Sequence, residues 1–221
     1  MILLLSANAY AQKTDTDTSK HDADIVRNRF IPTGIRIGTD LISIAKTQYV
    51  KSFSGWEVNA EVDFYRYYLA MEYGSWGRTY YPVNGQYTND GNYFRVGVDV
   101  NFLKNDPDKN VFFIGLRSGH STFSEYFLVS VDDPIWGSQP ATQYVNNDVK
   151  ARWMELTTGL RVKIWKVLWM GYTARFKFGL KTRNAIDMLP SDVPGFGRTD
   201  KPTTWGFNYV LLFRIPLSKT K

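Results

Sequence analysis

Cysteine is absent from this chain of 221 residues, which excludes disulfide bridges and a lipid-anchored cysteine. Long apolar runs are absent too. Nowhere do about eighteen apolar residues follow one another, so no helix of this sequence spans a bilayer. The mean hydropathy of -0.32 has the value of a soluble protein. A membrane barrel escapes that test, because half of every strand is polar. Histidine is scarce as well, with 2 in the chain, and His120 is the one outside the N-terminal tail. No basic run or stripe stands out along the sequence despite a net charge of +6 and a pI of 9.3. Lys and Arg are scattered through the strands opposite apolar residues, which argues against nucleic acid as a partner.

What is present is alternation. In WEVNAEVDF, at 56–64, Trp56, Val58, Ala60, Val62 and Phe64 share one face of an extended chain, and Glu57, Asn59, Glu61 and Asp63 share the other. A soluble sandwich buries the apolar face, whereas a membrane barrel turns it outward. Seven further segments alternate in this way: 35–45, 67–76, 94–102, 112–123, 153–164, 169–180 and 205–213. Most have the length of a tilted membrane-spanning strand, about 9–11 residues. The connections alternate between short (65–66, the NDPDKN turn, 165–168) and long (46–55, 77–93, 124–152, 181–204). An even strand number, with tight turns at one end and long loops at the other, is the organisation of a bacterial outer-membrane barrel.

Aromatic residues follow the same topology. Trp56, Tyr73, Phe94, Trp153, Phe178 and Trp205 fall at the long-loop ends, and Phe64, Tyr67, Phe102, Phe112, Trp169 and Phe213 at the short-turn ends. Two girdles suit a headgroup boundary on each side. The expected fold is therefore all-β, an eight-stranded antiparallel up-and-down transmembrane β-barrel forming a single domain. It occupies 31–221, behind a truncated signal-peptide remnant at 1–11, where MILLLSANAYA ends in an A-x-A pattern, and a flexible polar periplasmic tail at 12–30. The expected location is the bacterial outer membrane, with both termini periplasmic.

By parity the lumen receives Arg36 and Asp40; Glu57, Glu61 and Asp63; Glu72; Arg95 and Asp99; Arg117; Glu155, Arg161 and Lys163; Arg175 and Lys177; and Arg214. Acids dominate the second and third strands and bases the sixth and seventh, so opposite charges face each other across the ring. Gly38, Gly74, Gly97, Gly115, Gly119, Gly159, Gly171, Gly179 and Gly206 share that face and leave room for the long side chains. A lumen filled in this way is a structural network and leaves no open pore. On the last strand, Thr204, Gly206, Tyr209 and Leu211 have the spacing of a signal read by barrel-assembly machinery.

From 34 to 217 the chain resembles an uncharacterised family of small outer-membrane β-barrels from Bacteroidota. The stretches that carry the likeness are GVDVNFLKN, RSGHSTFS, WMELTTGLRVKIW, VPGFGRT and GFNYVLLFRIPL. The resemblance implies fold and location and assigns no catalytic residue.

No catalytic, metal or cofactor residue is expected. His120 with Ser118, Ser121, Ser124 and Glu125 is the best enzymatic constellation, of the lipid A deacylase type. A nucleophile and its base must come within about 3 Å of each other, yet Ser121 follows His120 directly and points to the opposite face of the strand. His21, Asp22 and Asp24 sit in the tail, Asp106 and Asp108 are turn formers around Pro107, and the GFG at 195–197 reads as a surface loop with no helix to cradle phosphate. The leading functional expectation is a non-enzymatic barrel that serves as an interaction or accessory subunit of an envelope complex, such as a barrel-assembly or export machine. Its expected partners are outer-membrane lipid, the machinery that inserts it and other envelope proteins. The acidic stretch 131–148, with Asp132, Asp133, Trp136 and Tyr144, is the candidate partner loop. The competing expectation is an enzyme acting on outer-membrane lipid.

Overall fold

Alternation of polar and apolar residues closes this chain into a ring. The computed structural model describes residues 31–103, 105–130, 132–133, 135, 137–138, 140–183 and 189–217. The segments expected at 1–11 and 12–30 lie outside the described residues, as does Trp136. The strands are β1 (Gly34–Asp40), β2 (Phe53–Phe64), β3 (Tyr67–Tyr80), β4 (Gly85–Asn101), β5 (Val111–Val129), β6 (Thr142–Trp165), β7 (Leu168–Arg183) and β8 (Thr204–Pro216). Each pairs antiparallel with its chain neighbours, and β1 closes on β8 from Gly34↔Pro216 to Asp40↔Val210, giving an eight-stranded up-and-down barrel. Tight connections lie at one end, the turn end; in one of them Tyr65 adopts a positive φ of 60°. The hairpins at the other end, the mouth, are tall.

Inside and outside separate cleanly. Arg36, Asp40, Glu57, Glu61, Asp63, Glu72, Arg95, Asp99, Arg117, Glu155, Arg161, Arg175 and Lys177 are all buried in the lumen. Val58, Leu69, Met71, Val96, Val98, Ile114, Leu116, Leu156, Val162 and Tyr172 face outward and are exposed. Among the described residues, no Asp, Glu, Lys or Arg faces outward between the levels of Phe94 and Phe102. The stretch between those two rings has the about 9–11 residues that a tilted spanning strand needs.

The structure departs from the sequence expectation in five places. The segment expected as one strand over 35–45 breaks at Asp40 and continues as helix α1 (Leu41–Tyr49). Asp40 ends the strand because its carboxylate accepts hydrogen bonds from the Ile42 and Ser43 amides, at 3.3 and 3.1 Å, and so caps the first turn. The expected long loops at 77–93 and 124–152 are largely strand, since β4 and β5 continue beyond the aromatic level and β6 runs for 24 residues. Several outward positions there, such as Thr88, Thr122 and Ser124, are polar, so the apolar alternation weakens while the backbone pairing continues. Inward, Glu125 accepts hydrogen bonds from Tyr87 and Asn146, each at 3.0 Å.

Trp153 and Trp169 are not girdle residues. They are buried in the lumen at 2% and 4% exposure, on the same parity as Glu155 and Gly171. Gly179 leaves the lumen face. It has a φ of +67° and open space around it, the geometry of a bulge. Finally, the GFG at 195–197 folds into the mouth. Gly195 and Gly197, with φ of 81° and 108°, make the reversal that only glycine takes easily, and Phe196 between them is 1% exposed.

Candidate functional site

Two layers fill the lumen. The layer towards the turn end and mid-barrel is ionic. Glu72, on β3, is the hub: it is ion-paired to Arg117 of β5, to Arg175 of β7 at 2.7 Å and to Arg95 of β4 at 2.9 Å. Arg175 also meets Glu155 at 3.0 Å, and Arg117 meets Asp99 at 2.5 Å. Glu57 pairs with Arg95 and accepts a hydrogen bond from the Tyr93 hydroxyl at 2.6 Å. Nearer the turn end, Arg161 meets Glu61 at 3.0 Å and Arg214 meets Asp63 at 3.0 Å. Arg36 lies over the rings of Tyr68 and Trp169, at 5.0 and 5.6 Å, and donates to the Lys109 carbonyl at 3.0 Å. Lys163 sits at the rim, paired with Asp108 at 3.0 Å.

Partners separated widely in sequence, such as Glu72 and Arg175, meet only because the ring closes. Charges taken out of water in a space this narrow are stable only when they satisfy one another. Glycine makes the room. A Cβ at Gly97 would meet the Leu116 carbonyl and the Arg117 side chain, and one at Gly119 would enter the Trp153 ring.

The second layer is an apolar plug at the mouth. Val193 and Phe196, from the connection between β7 and β8, pack with Tyr93, Phe123, Val149, Ala151 and Trp153, and Leu180 and Trp76 border them. Trp153 and Phe196 meet edge to face, with centroids 5.8 Å apart. Polar contacts hold the plug down. The Lys177 ammonium donates to the carbonyls of Gly195 and Phe196 at 2.7 and 3.0 Å. Asn89 donates to the Asp192 carbonyl at 2.8 Å, and the Asp192 carboxylate meets Arg78 at 3.1 Å. Burial raises the pKa of the Asp192 carboxyl above its ordinary value, and Arg78 opposes that shift. Sequence reading missed this layer, although the inward parity of Trp153 and the glycines flanking Phe196 were its signals.

The family model described as "Domain of unknown function (DUF6048)" matches residues 1–220. The chain belongs to that family. No curated protein matches it. Among solved structures, it is similar to the crystal structure of Acinetobacter baumannii CarO, with 11% identity and a TM-score of 0.45 over 83% of this chain and 97% of that one.

The other candidates are not assembled with this core. His120 lies on the outer face, stacked on Phe94 with centroids 4.7 Å apart, while Ser121 lies on the inner face and donates to the Asn92 carbonyl at 3.1 Å. Ser118 shares the outer face, and Glu125 is bound inside by Tyr87 and Asn146. Of the terminal-strand signal, Thr204 and Gly206 are half-buried on the inward parity, and Tyr209 and Leu211 lie on the outward one. In the stretch 131–148, the backbones of Asp132 and Asp133 pair with Gly137 and Ser138, and Tyr144 is exposed on β6.

Beside the core, α1 stands where β1 would have continued. Between α1, β2 and β8 lies a cavity of about 370 Å³ reached by Asp40, Glu57, Arg95, Lys177, Asn208 and Trp205.

Proposed function

We propose that this chain is a barrel of a Bacteroidota outer membrane that catalyses nothing and serves as an interaction or accessory subunit of an envelope complex, for instance one that assembles or exports proteins. One observation carries the reading. The lumen charges are committed to one another and the plug packs into the mouth, so the apolar outer wall, the tall hairpins and the cavity beside α1 are the surfaces left for contact. The absence, among the described residues, of outward charge between the aromatic levels supports lipid around the wall. The turn end would then be periplasmic, together with both termini, and the barrel-assembly machinery would read the Thr204, Gly206, Tyr209 and Leu211 pattern.

The outer arrangement of His120 and the inner one of Ser121 do not favour the lipid-modifying alternative, since a base and a nucleophile on opposite faces of one strand do not reach a common substrate atom. The test is gentle detergent extraction, sizing of the particle and identification of what elutes with it. The expected outcome is a particle larger than the barrel with a reproducible partner. A lone barrel that alters lipid A chemistry would reverse the reading.

A further inference from the structure

The bulge at Gly179 re-aims a stretch of β7. Lys177 points into the lumen, and unbroken alternation would send residues 179, 181 and 183 the same way. Between the pairs Arg152↔Lys181 and Met154↔Phe178, however, β7 uses one residue more than β6. The extra residue is accommodated at Gly179, which has a φ of +67°. Leu180 turns in against the plug instead, and Lys181 and Arg183 are exposed on the outer face. There they meet the outward cations of β6, Lys150 opposite Arg183 and Arg152 opposite Lys181.

These cations and His120 line a depression of about 300 Å³. It lies directly beyond the aromatic level, because His120 pairs with Phe94 on one side and with Arg152 on the other. Among the described residues, no carboxylate pairs with Lys150, Arg152, Lys181 or Arg183. Asp148, two residues before Lys150, is exposed and outside their reach as an ion pair. This differs sharply from the lumen, where Arg95, Arg117, Arg161 and Arg175 each have an acid partner.

We propose that this patch binds the phosphate groups of a phosphorylated lipid in the outer leaflet, with the acyl chains lying on the apolar wall below. The inference rests on the outer-membrane reading above. Charge and position both favour this ligand. A phosphomonoester presents about -1.5 to -2 charges and three acceptor oxygens, Arg gives bidentate donors and Lys a mobile point charge, and headgroup phosphates lie at the level where aromatic girdles end.

The experiment places the whole purified chain in phosphatidylcholine nanodiscs containing a small fraction of bisphosphorylated lipid A, or the same lipid A after enzymatic dephosphorylation. Retained lipid is counted by native mass spectrometry. The wild type is expected to retain the phosphorylated form at least ten-fold better than the dephosphorylated one. The Lys150→Gln/Arg152→Gln/Lys181→Gln/Arg183→Gln variant should lose that preference while keeping the heat-modifiable gel mobility of a folded barrel. The Lys150→Gln/Lys181→Gln variant should lose part of it, and serves if the fourfold change does not fold. Equal retention of both lipids, or an undiminished preference in the folded variants, would overturn the proposal. Displacement of lipid A by millimolar inorganic phosphate would also overturn it in favour of a free-anion site. A chain that does not enter the nanodisc would instead overturn the membrane reading on which it rests.

Discussion

The ionic layer of the lumen and the apolar plug at its mouth both fill the barrel interior, by opposite chemistry. In the ionic layer, long Arg and Glu side chains cross the ring and are held by strands on every side, so each carboxylate of the Glu72 and Glu155 cluster has more than one cation. In the plug, a short hairpin of Asp192–Val193 and Gly197–Arg198 lays Val193 and Phe196 onto Trp153. The first belongs to the wall, and removing a member leaves buried charge behind. The second is completed by a connection, Val193 and Phe196 lying outside the eight barrel strands. The difference teaches that the cost of removing a side chain in this barrel follows from where it is attached as much as from what it touches.

The largest effect should come from Glu72→Leu. Three arginines would lose a shared partner, and breaking a buried pair on one side costs about 3–5 kcal/mol. The check is the denaturant midpoint of the barrel in detergent, read with gel mobility before heating. A near-neutral result would show that the remaining acids take over the hub. Phe196→Ala should cost about 3 kcal/mol, but locally. Hydrogen exchange of the Val193 and Phe196 amides should quicken while the barrel midpoint moves far less than in Glu72→Leu. Equal shifts would erase the distinction between wall and plug.

Conductance sharpens the same comparison. In planar bilayers the wild type should give no steady porin-like current, and Phe196→Ala should stay silent as well, because the ionic layer beneath still fills the ring. A steady current in Phe196→Ala alone would make the plug the only barrier. The outer wall supplies a control for both layers. Val98→Arg should cost about 2–4 kcal/mol and impair insertion, while leaving the lumen contacts untouched. If it assembled as well as Val98→Leu, the wall at that height would not face hydrocarbon. The smallest effect is expected at the cap, where Asp40→Ala should cost about 1–2 kcal/mol, fraying α1 and freeing the Tyr209 amide that Asp40 also holds at 3.0 Å, while the other pairs of β1 on β8 stay closed. Circular dichroism and the denaturant midpoint read it.

The sequence by itself determined the strand number, the antiparallel order and which residues face inward wherever alternation runs unbroken. Period two is a property of the extended backbone, so Glu57, Glu61 and Asp63 had one possible side once the apolar face was assigned outward. It also held the signal for Trp153 and Trp169, whose parity places them inside despite their aromatic character. Pairing partners were a different matter. That Glu72 takes Arg117, Arg175 and Arg95 depends on the stagger of the closed ring, which no local pattern encodes. The plug, the helix after Asp40 and the turn of Lys181 and Arg183 to the outer face were also decided by tertiary structure. Each depends on one residue leaving the period: Asp40 bonding to the amides ahead of it, Gly179 holding a positive φ, and Gly195 and Gly197 reversing the chain over Trp153. A short polar or glycine residue permits such a departure in many places. The neighbouring strands select the ones that occur.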